Sequence, residues 1–263
     1  MFLTGKAPTD DPLSAVDLTV AYPGAPPLLE RVSFTVHAGE ILGVLGPSGC
    51  GKSTLLRHLV GLERPQRGRV LVFGQDLWAD EGAGMDDLRR RFGMMYQSGA
   101  LFGDMDLLEN VSLPLKEFSA LPKGAIETIA RLKLDLVGLN GFERASPATL
   151  SGGMRKRAAI ARALALDPKL IFLDEPSAGL DPITSAGLDN LILTLARNLS
   201  IAFVMVTHEL RSVMAIVDRA ILLDKKSRGV TDHGSPAYMA TKSLNPATAA
   251  FFLRSPANGK ERN

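Results

Sequence analysis

A single cysteine, Cys50, in 263 residues excludes an internal disulfide and fits a reducing compartment. Nowhere do about 20 apolar residues run together, the length a membrane-crossing helix needs, so the chain is not expected to span a bilayer. The best run, IAFVMV at 201 to 206, is strand-sized. The opening MFLTGKAPTDDPL lacks the basic segment, apolar stretch and small-residue cleavage site of a secretory leader. Net charge is only +2, and no block of Lys and Arg interleaved with aromatics marks a nucleic-acid surface. Internal repeats and low-complexity tracts are also missing. What is present is a chain 46% hydrophobic, long enough to bury a substantial core as one large domain or two lobes.

Charge is unevenly spread. From Lys225 to the end there are seven Lys or Arg (225, 226, 228, 242, 254, 260, 262) against Asp232 and Glu261, a net +5 that leaves −3 for the rest. Such a tail suits either anionic lipid headgroups or a solvated, partly mobile terminus.

Residues 14 to 37 alternate apolar runs (AVDLTVAY, VSFTVH) around the turn PGAPP, the pattern of a β-hairpin. ILGVLG (41 to 46) predicts a short buried strand, followed by a glycine turn and a helix over 53 to 60. The same order recurs at LIFLDEP (170 to 176) with a helix over 183 to 197, and at IAFVMVTHE (201 to 209) with one over 210 to 217. Repeated strand-then-helix units predict an α/β fold, a mostly parallel sheet with helices on both faces. Between about 98 and 150 helical segments dominate, including 124 to 137, broken by Pro114, Pro122 and Pro147. This stretch is expected to form a helical lobe inserted in the core.

The segment Gly46-Pro47-Ser48-Gly49-Cys50-Gly51-Lys52-Ser53 matches GxxxxGK[ST] between a predicted strand and a predicted helix. Glycines let successive amides curl toward phosphate oxygens, and the helix adds the positive end of its dipole. Lys52 is expected on the β- and γ-phosphates and the Ser53 hydroxyl on Mg²⁺. Leu170 to Leu173 is an apolar strand ending in Asp174 and Glu175. A carboxylate buried at a strand end needs a cation, which Mg²⁺ supplies for Asp174, while Glu175 faces the γ-phosphate as general base for the attacking water. Read alone, two acids after a strand fit a solvated turn equally well.

Leu150-Ser151-Gly152-Gly153 opens the predicted helix MRKRAAIARALAL (154 to 166). Lying between the phosphate loop and Asp174-Glu175, this LSGG resembles the signature of ATP-binding-cassette (ABC) ATPases. The family's other landmarks follow in order: Gln97 resembles the Q-loop glutamine, SAGLD (177 to 181) the D-loop, His208 the switch histidine, and Tyr22 the aromatic that stacks on adenine. The resemblance implies a P-loop NTPase with a RecA-like core, an antiparallel N-terminal β subdomain and a helical subdomain at about 98 to 150. The domain is expected at 14 to 225, with 226 to 263 as a tail. It further implies ATP bound by Tyr22 and by Gly46, Pro47, Ser48, Gly49, Cys50, Gly51, Lys52, Ser53 and Thr54. Mg²⁺ falls to Ser53, Gln97 and Asp174, and catalysis to Glu175, His208 and Gln97. In a head-to-tail dimer of the chain, Ser151, Gly152 and Gly153 meet the γ-phosphate of the partner's nucleotide. Arg155, Lys156 and Arg157 read as a solvated face. If the Cys50 thiol is accessible, a bulky thiol reagent is expected to block ATP binding.

In ABC transporters the Q-loop receives a short helix from the membrane permease. Ser98 to Phe102 are expected to line that socket, although Leu101 and Phe102 serve equally as core of the lobe. The string QSGALFGDMDLLENVSLPLKE (97 to 117), with AspProIleThr at 181 to 184, resembles the ATPases of MCE-type lipid transport systems, including the Mla phospholipid system. That implies a permease, an MCE lipid-binding protein and a peripheral place on the cytoplasmic face of the inner membrane. The end after Phe251-Phe252-Leu253 is shorter than in Mla ATPases, which leaves a tail-mediated dimer contact and a small accessory regulator open. An importer of amino acids or other solutes shares every catalytic residue. A soluble ABC protein of DNA repair or translation is a further class, but the roughly 100 residues between Lys52 and Ser151 leave room only for a small lobe.

Overall fold

The computed structural model describes residues 11–253 except Pro23 and Glu81. The first ten residues of the opening segment, and Arg254, Lys260, Glu261 and Arg262 of the basic tail, lie outside the described residues. β1 (Leu13–Val20) and β2 (Leu29–Val36) pair antiparallel, Leu13 opposite Val36 and Val20 opposite Leu29, as the alternating pattern predicts. β3 (Ile41–Leu45) leads through the glycine turn into α1 (Lys52–Leu59). β4 (Arg67–Val72) and β5 (Gln75–Asp76) complete the first sheet in the order β2-β1-β4-β5. After α2 (Ala83–Arg89) comes β6 (Phe92–Met95). Two helices follow, α3 (Leu107–Phe118) and α4 (Lys123–Leu136), then a 3-10 turn at Pro147–Thr149 and α5 (Gly152–Ala163).

The remaining units are β7 (Leu170–Asp174), α6 (Pro182–Leu199), β8 (Ala202–Val206), α7 (Leu210–Ile216) and β9 (Arg219–Asp224). With β10 (Gly229–Gly234) they form a second sheet in the order β10-β9-β3-β8-β7-β6, parallel throughout except for β10. Every residue of β3 and β8 is buried, as a central strand covered on both faces requires. The period of two sorts them: Ile41, Leu45, Ile171, Leu173, Phe203 and Met205 join the core under the helices, while Leu42, Val44, Phe172, Val204 and Val206 join the core shared with the first sheet. The first sheet with α1 and α2 covers one face of the second sheet, and α3 to α7 cover the other.

Two details depart from the sequence expectation. Pro114 sits inside α3 instead of breaking it. Its missing N–H forfeits one helical bond, and burial of Leu107, Leu108, Val111 and Leu115 outweighs that loss. The expected tail at 226 to 263 is ordered well past its start. β10 is hydrogen-bonded to β9, so the boundary at 225 falls inside a two-stranded turn. α8 (Pro236–Thr241) and α9 (Pro246–Leu253) follow, and the Thr248 hydroxyl donates to Asp232 at 2.5 Å while Asn245 Nδ2 donates to Thr231 O at 2.7 Å. The polar string GVTDHG carries no apolar run by which to recognise an edge strand.

Candidate functional site

Neighbouring parallel strands β3, β8, β7 and β6 end side by side, with Asp174 opposite Val206. Their carboxyl ends therefore deliver the glycine loop, His208, Asp174-Glu175 and Gln97 to one edge, where open α/β sheets place ligands. A cleft of about 570 Å³ opens there, walled by Tyr22, Gly46 to Gly49, Gly51 to Thr54, Gln97, Glu175, His208 and Phe251. Most of the residues assigned from the sequence thus share one cavity.

The loop turns because two glycines permit it. A Cβ on Gly46 would lie 2.6 Å from both Leu223 O and Cys50 Sγ, and Gly51 caps α1 with a left-handed backbone at φ 103°. Lys52 is buried, and its ammonium donates to Gly46 O at 2.8 Å and Pro47 O at 3.2 Å. The Tyr22 hydroxyl and Thr54 Oγ1 lie 3.0 Å apart, which fixes the ring at the cleft mouth, half exposed. Ser53 is exposed to the cleft.

Glu175 has a left-handed backbone, φ 48°, which for a residue with a Cβ is costly and is held by its surroundings. Its N–H donates to Val206 O at 2.8 Å, and its carboxylate Oε1 meets His208 Nδ1 at 2.8 Å. Beside it, Asp174 Oδ1 is buried without a hydrogen-bond partner. Burial, then the neighbouring Glu175, pushes the Asp174 carboxyl above its usual range, against Lys156 and Lys52. An orphaned carboxylate oxygen at the strand end, with Ser53 and Gln97 lining the neighbouring cleft, supplies oxygen donors of the kind a hard divalent cation takes.

Cys50 departs from expectation. Its side chain is 1% exposed and packs in the core between the sheets, and burial pushes its thiol up. It is therefore closed to a bulky reagent and is not a cleft wall. Ser151, Gly152 and Gly153 do not line the cleft either. Ser151 Oγ instead caps α5, accepting from Met154 N at 3.2 Å.

The basic triplet after LSGG is a solvated face at Arg155 alone, which is exposed; Arg157 is half-buried and Lys156 buried. Lys156 is 6% exposed and donates to Gln97 O and, at 3.1 Å, to Glu175 O. Arg157 donates to Val137 O at 3.0 Å and Gly187 O at 3.1 Å, and Arg155 to Leu150 O at 2.7 Å. Helical spacing carried a clue that the reading missed: Gly153, Lys156 and Ile160 recur at i, i+3 and i+7 on one buried stripe.

QSGALF is a loop of backbone carbonyls held by side chains from two helices. Arg162 donates to Gly99 O at 2.9 Å and Ala100 O at 2.7 Å. Asn110, fully buried, accepts from Phe102 N at 2.8 Å and donates to Phe102 O at 3.1 Å. Small residues suit this tight backbone, with Gly99 and Ala100 both left-handed. The two larger side chains divide: Leu101 packs against the core, while Phe102 is 48% exposed under the Arg162 guanidinium. Asn110, Arg162 and Phe251 carried no motif and were missed by the sequence reading.

A family model described as ABC transporter matches residues 29–178. The intermembrane phospholipid transport system ATP-binding protein MlaF of Escherichia coli strain K12 is 43% identical over 209 residues, covering 79% of this chain and 77% of that protein. The probable ribonucleotide transport ATP-binding protein mkl of Mycobacterium leprae is 40% identical over 222 residues. This chain is 84% covered in that match but spans only 64% of the mycobacterial protein's length. Among solved structures, the dimeric post-hydrolysis state of the ATP-binding cassette MJ0796, bound to ADP and Pi, superposes with a TM-score of 0.77 at 28% identity, covering 85% of this chain and 98% of that one.

Proposed function

The chain belongs to the ABC transporter family, and from that premise we propose that it binds and hydrolyses ATP as the motor subunit of a lipid transporter. The observation that carries the catalytic reading is the convergence of Lys52, Gln97, Glu175 and His208 on one cleft beside the orphaned Asp174 oxygen. Loop amides and the Lys52 ammonium hold the β- and γ-phosphates, the ammonium exchanging its two carbonyl partners for phosphate oxygens. Tyr22 takes the adenine. Glu175 accepts the proton of the attacking water, and His208, already 2.8 Å from its carboxylate, orients it and contacts the γ-phosphate. Ser53, Asp174 and Gln97 are the groups that would hold Mg²⁺, whose charge offsets that of the phosphates.

Ser151, Gly152 and Gly153 stand apart from the cleft of their own chain, at the N-terminus of α5 with donors to spare. We assign them to the nucleotide of a second copy in a head-to-tail dimer. Each charge-assisted bond to phosphate there contributes roughly 1.5–3 kcal/mol, so the γ-phosphate closes the pair and hydrolysis releases it. The unit doing this begins near residue 14, carries a helical subdomain at about 98 to 150 and extends past 225 to include β10.

Phospholipid is the proposed cargo class, supported by the 43% identity to MlaF and by the string at 97 to 117. The implied partners are a permease docking beside Phe102 and an MCE lipid-binding protein. No helix among the described residues is long and apolar enough to cross a membrane. We therefore place the chain peripherally, on the cytoplasmic face of the cell membrane, through its permease.

Glu175→Gln tests the mechanism. The variant is expected to bind ATP and accumulate as a dimer while turnover falls ~10²- to 10⁴-fold, the range for losing a positioned base. Near-parental turnover overturns the assignment. For the cargo, the complex purified with its membrane partners is expected to retain phospholipid; a complex that carries no phospholipid, and whose ATPase rate phospholipid leaves unchanged, overturns the cargo class and leaves the ATPase standing.

A further inference from the structure

Lys156 is a buried ammonium whose hydrogen bonds both go to backbone oxygens. Among the described residues no carboxylate lies within ion-pair distance of it. Burial pulls its pKa below the ordinary lysine range, with Glu175 and Asp174 acting in the opposite direction. A buried ammonium carries a desolvation cost that an apolar side chain would not, and its bonds to two carbonyls are what offset that cost.

What it holds is the backbone of two residues whose side chains face the cleft. Gln97 follows β6 and Glu175 follows β7, and one ammonium binds both carbonyls. Glu175 needs such a restraint, because its left-handed backbone is fixed at three points: N–H to Val206 O, carboxylate to His208, and carbonyl to Lys156 Nζ and Ala178 N. Lys156 itself rides on α5, the helix that begins at Ser151 to Gly153.

We infer that Lys156 is a positioning residue that fixes Glu175 and Gln97 relative to the N-terminus of α5, so that the catalytic groups of one protomer are aligned by the helix that meets the partner's nucleotide. This rests on the reading of Glu175 as the base. Lys156 is buried and does not line the cleft. Its loss therefore acts on turnover and leaves binding in place.

The test uses the full chain as Lys156→Met, Lys156→Arg and Glu175→Gln, with kcat, KM for ATP, ATP-driven dimerisation and melting temperature measured on each. Lys156→Met is expected to lower kcat ~10-fold or more with KM within about threefold, the signature of a group acting on the chemical step. Its ATP-driven dimer persists, and Lys156→Arg, which can still donate to both carbonyls, recovers most of the rate. A Lys156→Met protein turning over within about twofold of the parent overturns the inference, as does a parallel loss of rate, affinity and dimer that Lys156→Arg shares. Glu175→Gln separates the two ideas. A silent Lys156→Met beside an inactive Glu175→Gln refutes the positioning role alone, whereas an active Glu175→Gln refutes the base and with it this inference.

Discussion

Removing the Asn110 amide tests how the loop after Gln97 is held. Asn110 lies one turn into α3, fully buried, with Oδ1 accepting from Phe102 N at 2.8 Å. Its Nδ2 has Phe102 O and Met105 O at 3.1 Å and Asp106 O at 3.0 Å. An amide carries two N–H donors, so those three acceptors share two protons, which with the accepted bond makes three effective interactions. At about 1 kcal/mol net each, Asn110→Ala removes ~3 kcal/mol, and the Phe102 N–H left buried adds to it. For a chain of this size that is roughly 6–12 °C in melting temperature, at about 2–4 °C per kcal/mol. Asn110→Asp preserves volume and the acceptor but turns a carboxylate oxygen toward three carbonyls, so it is expected to melt no higher than Asn110→Ala. Thermal unfolding by circular dichroism reads both, and amide exchange at Phe102 locates the loss in the loop. An Asn110→Asp protein as stable as the parent, or an Asn110→Ala loss below about 1 kcal/mol, refutes the claim that this side chain organises the loop.

Two further outcomes follow from packing. Cys50 in the folded protein is expected to resist a bulky aromatic disulfide reagent and to react at once in denaturant, because its thiol is 1% exposed; rapid stoichiometric labelling without denaturant contradicts the burial. A Cβ on Gly153 would lie 2.4 Å from Thr184 Cγ2, whose residue is anchored by its hydroxyl on Asp181, so Gly153→Ala is expected to cost about 1–3 kcal/mol of overpacking. Adding Thr184→Ser removes that methyl, keeps the hydroxyl and restores most of the melting temperature; a Gly153→Ala protein that melts with the parent shows the contact to be slack.

Much of the fold and of the cleft was legible in advance because it is written locally. A buried strand, a glycine turn and a helix N-terminus are set by side-chain period and backbone stereochemistry over a few residues, so β3 with α1 and β7 with Asp174-Glu175 could be read directly. The helix through Pro114 and the edge strand β10 escaped for the converse reason: packing overrode propensity in the first, and pairing with β9 created the second from a polar string.

Local pattern alone identified a GxxxxGK[ST] loop, an apolar strand ending in two acids and an LSGG helix start, in the order an ABC cassette uses them. Tertiary structure alone decided which residues meet. Strand order β3-β8-β7-β6 brings Lys52, His208, Glu175 and Gln97 to one edge, although up to 156 positions separate them along the chain. It also turned Cys50 into the core and Lys156 onto the carbonyls of Gln97 and Glu175. Periodicity reports that a position faces inward; whether it finds there a methyl group or a carbonyl oxygen depends on neighbours brought by distant chain, to which no local pattern refers.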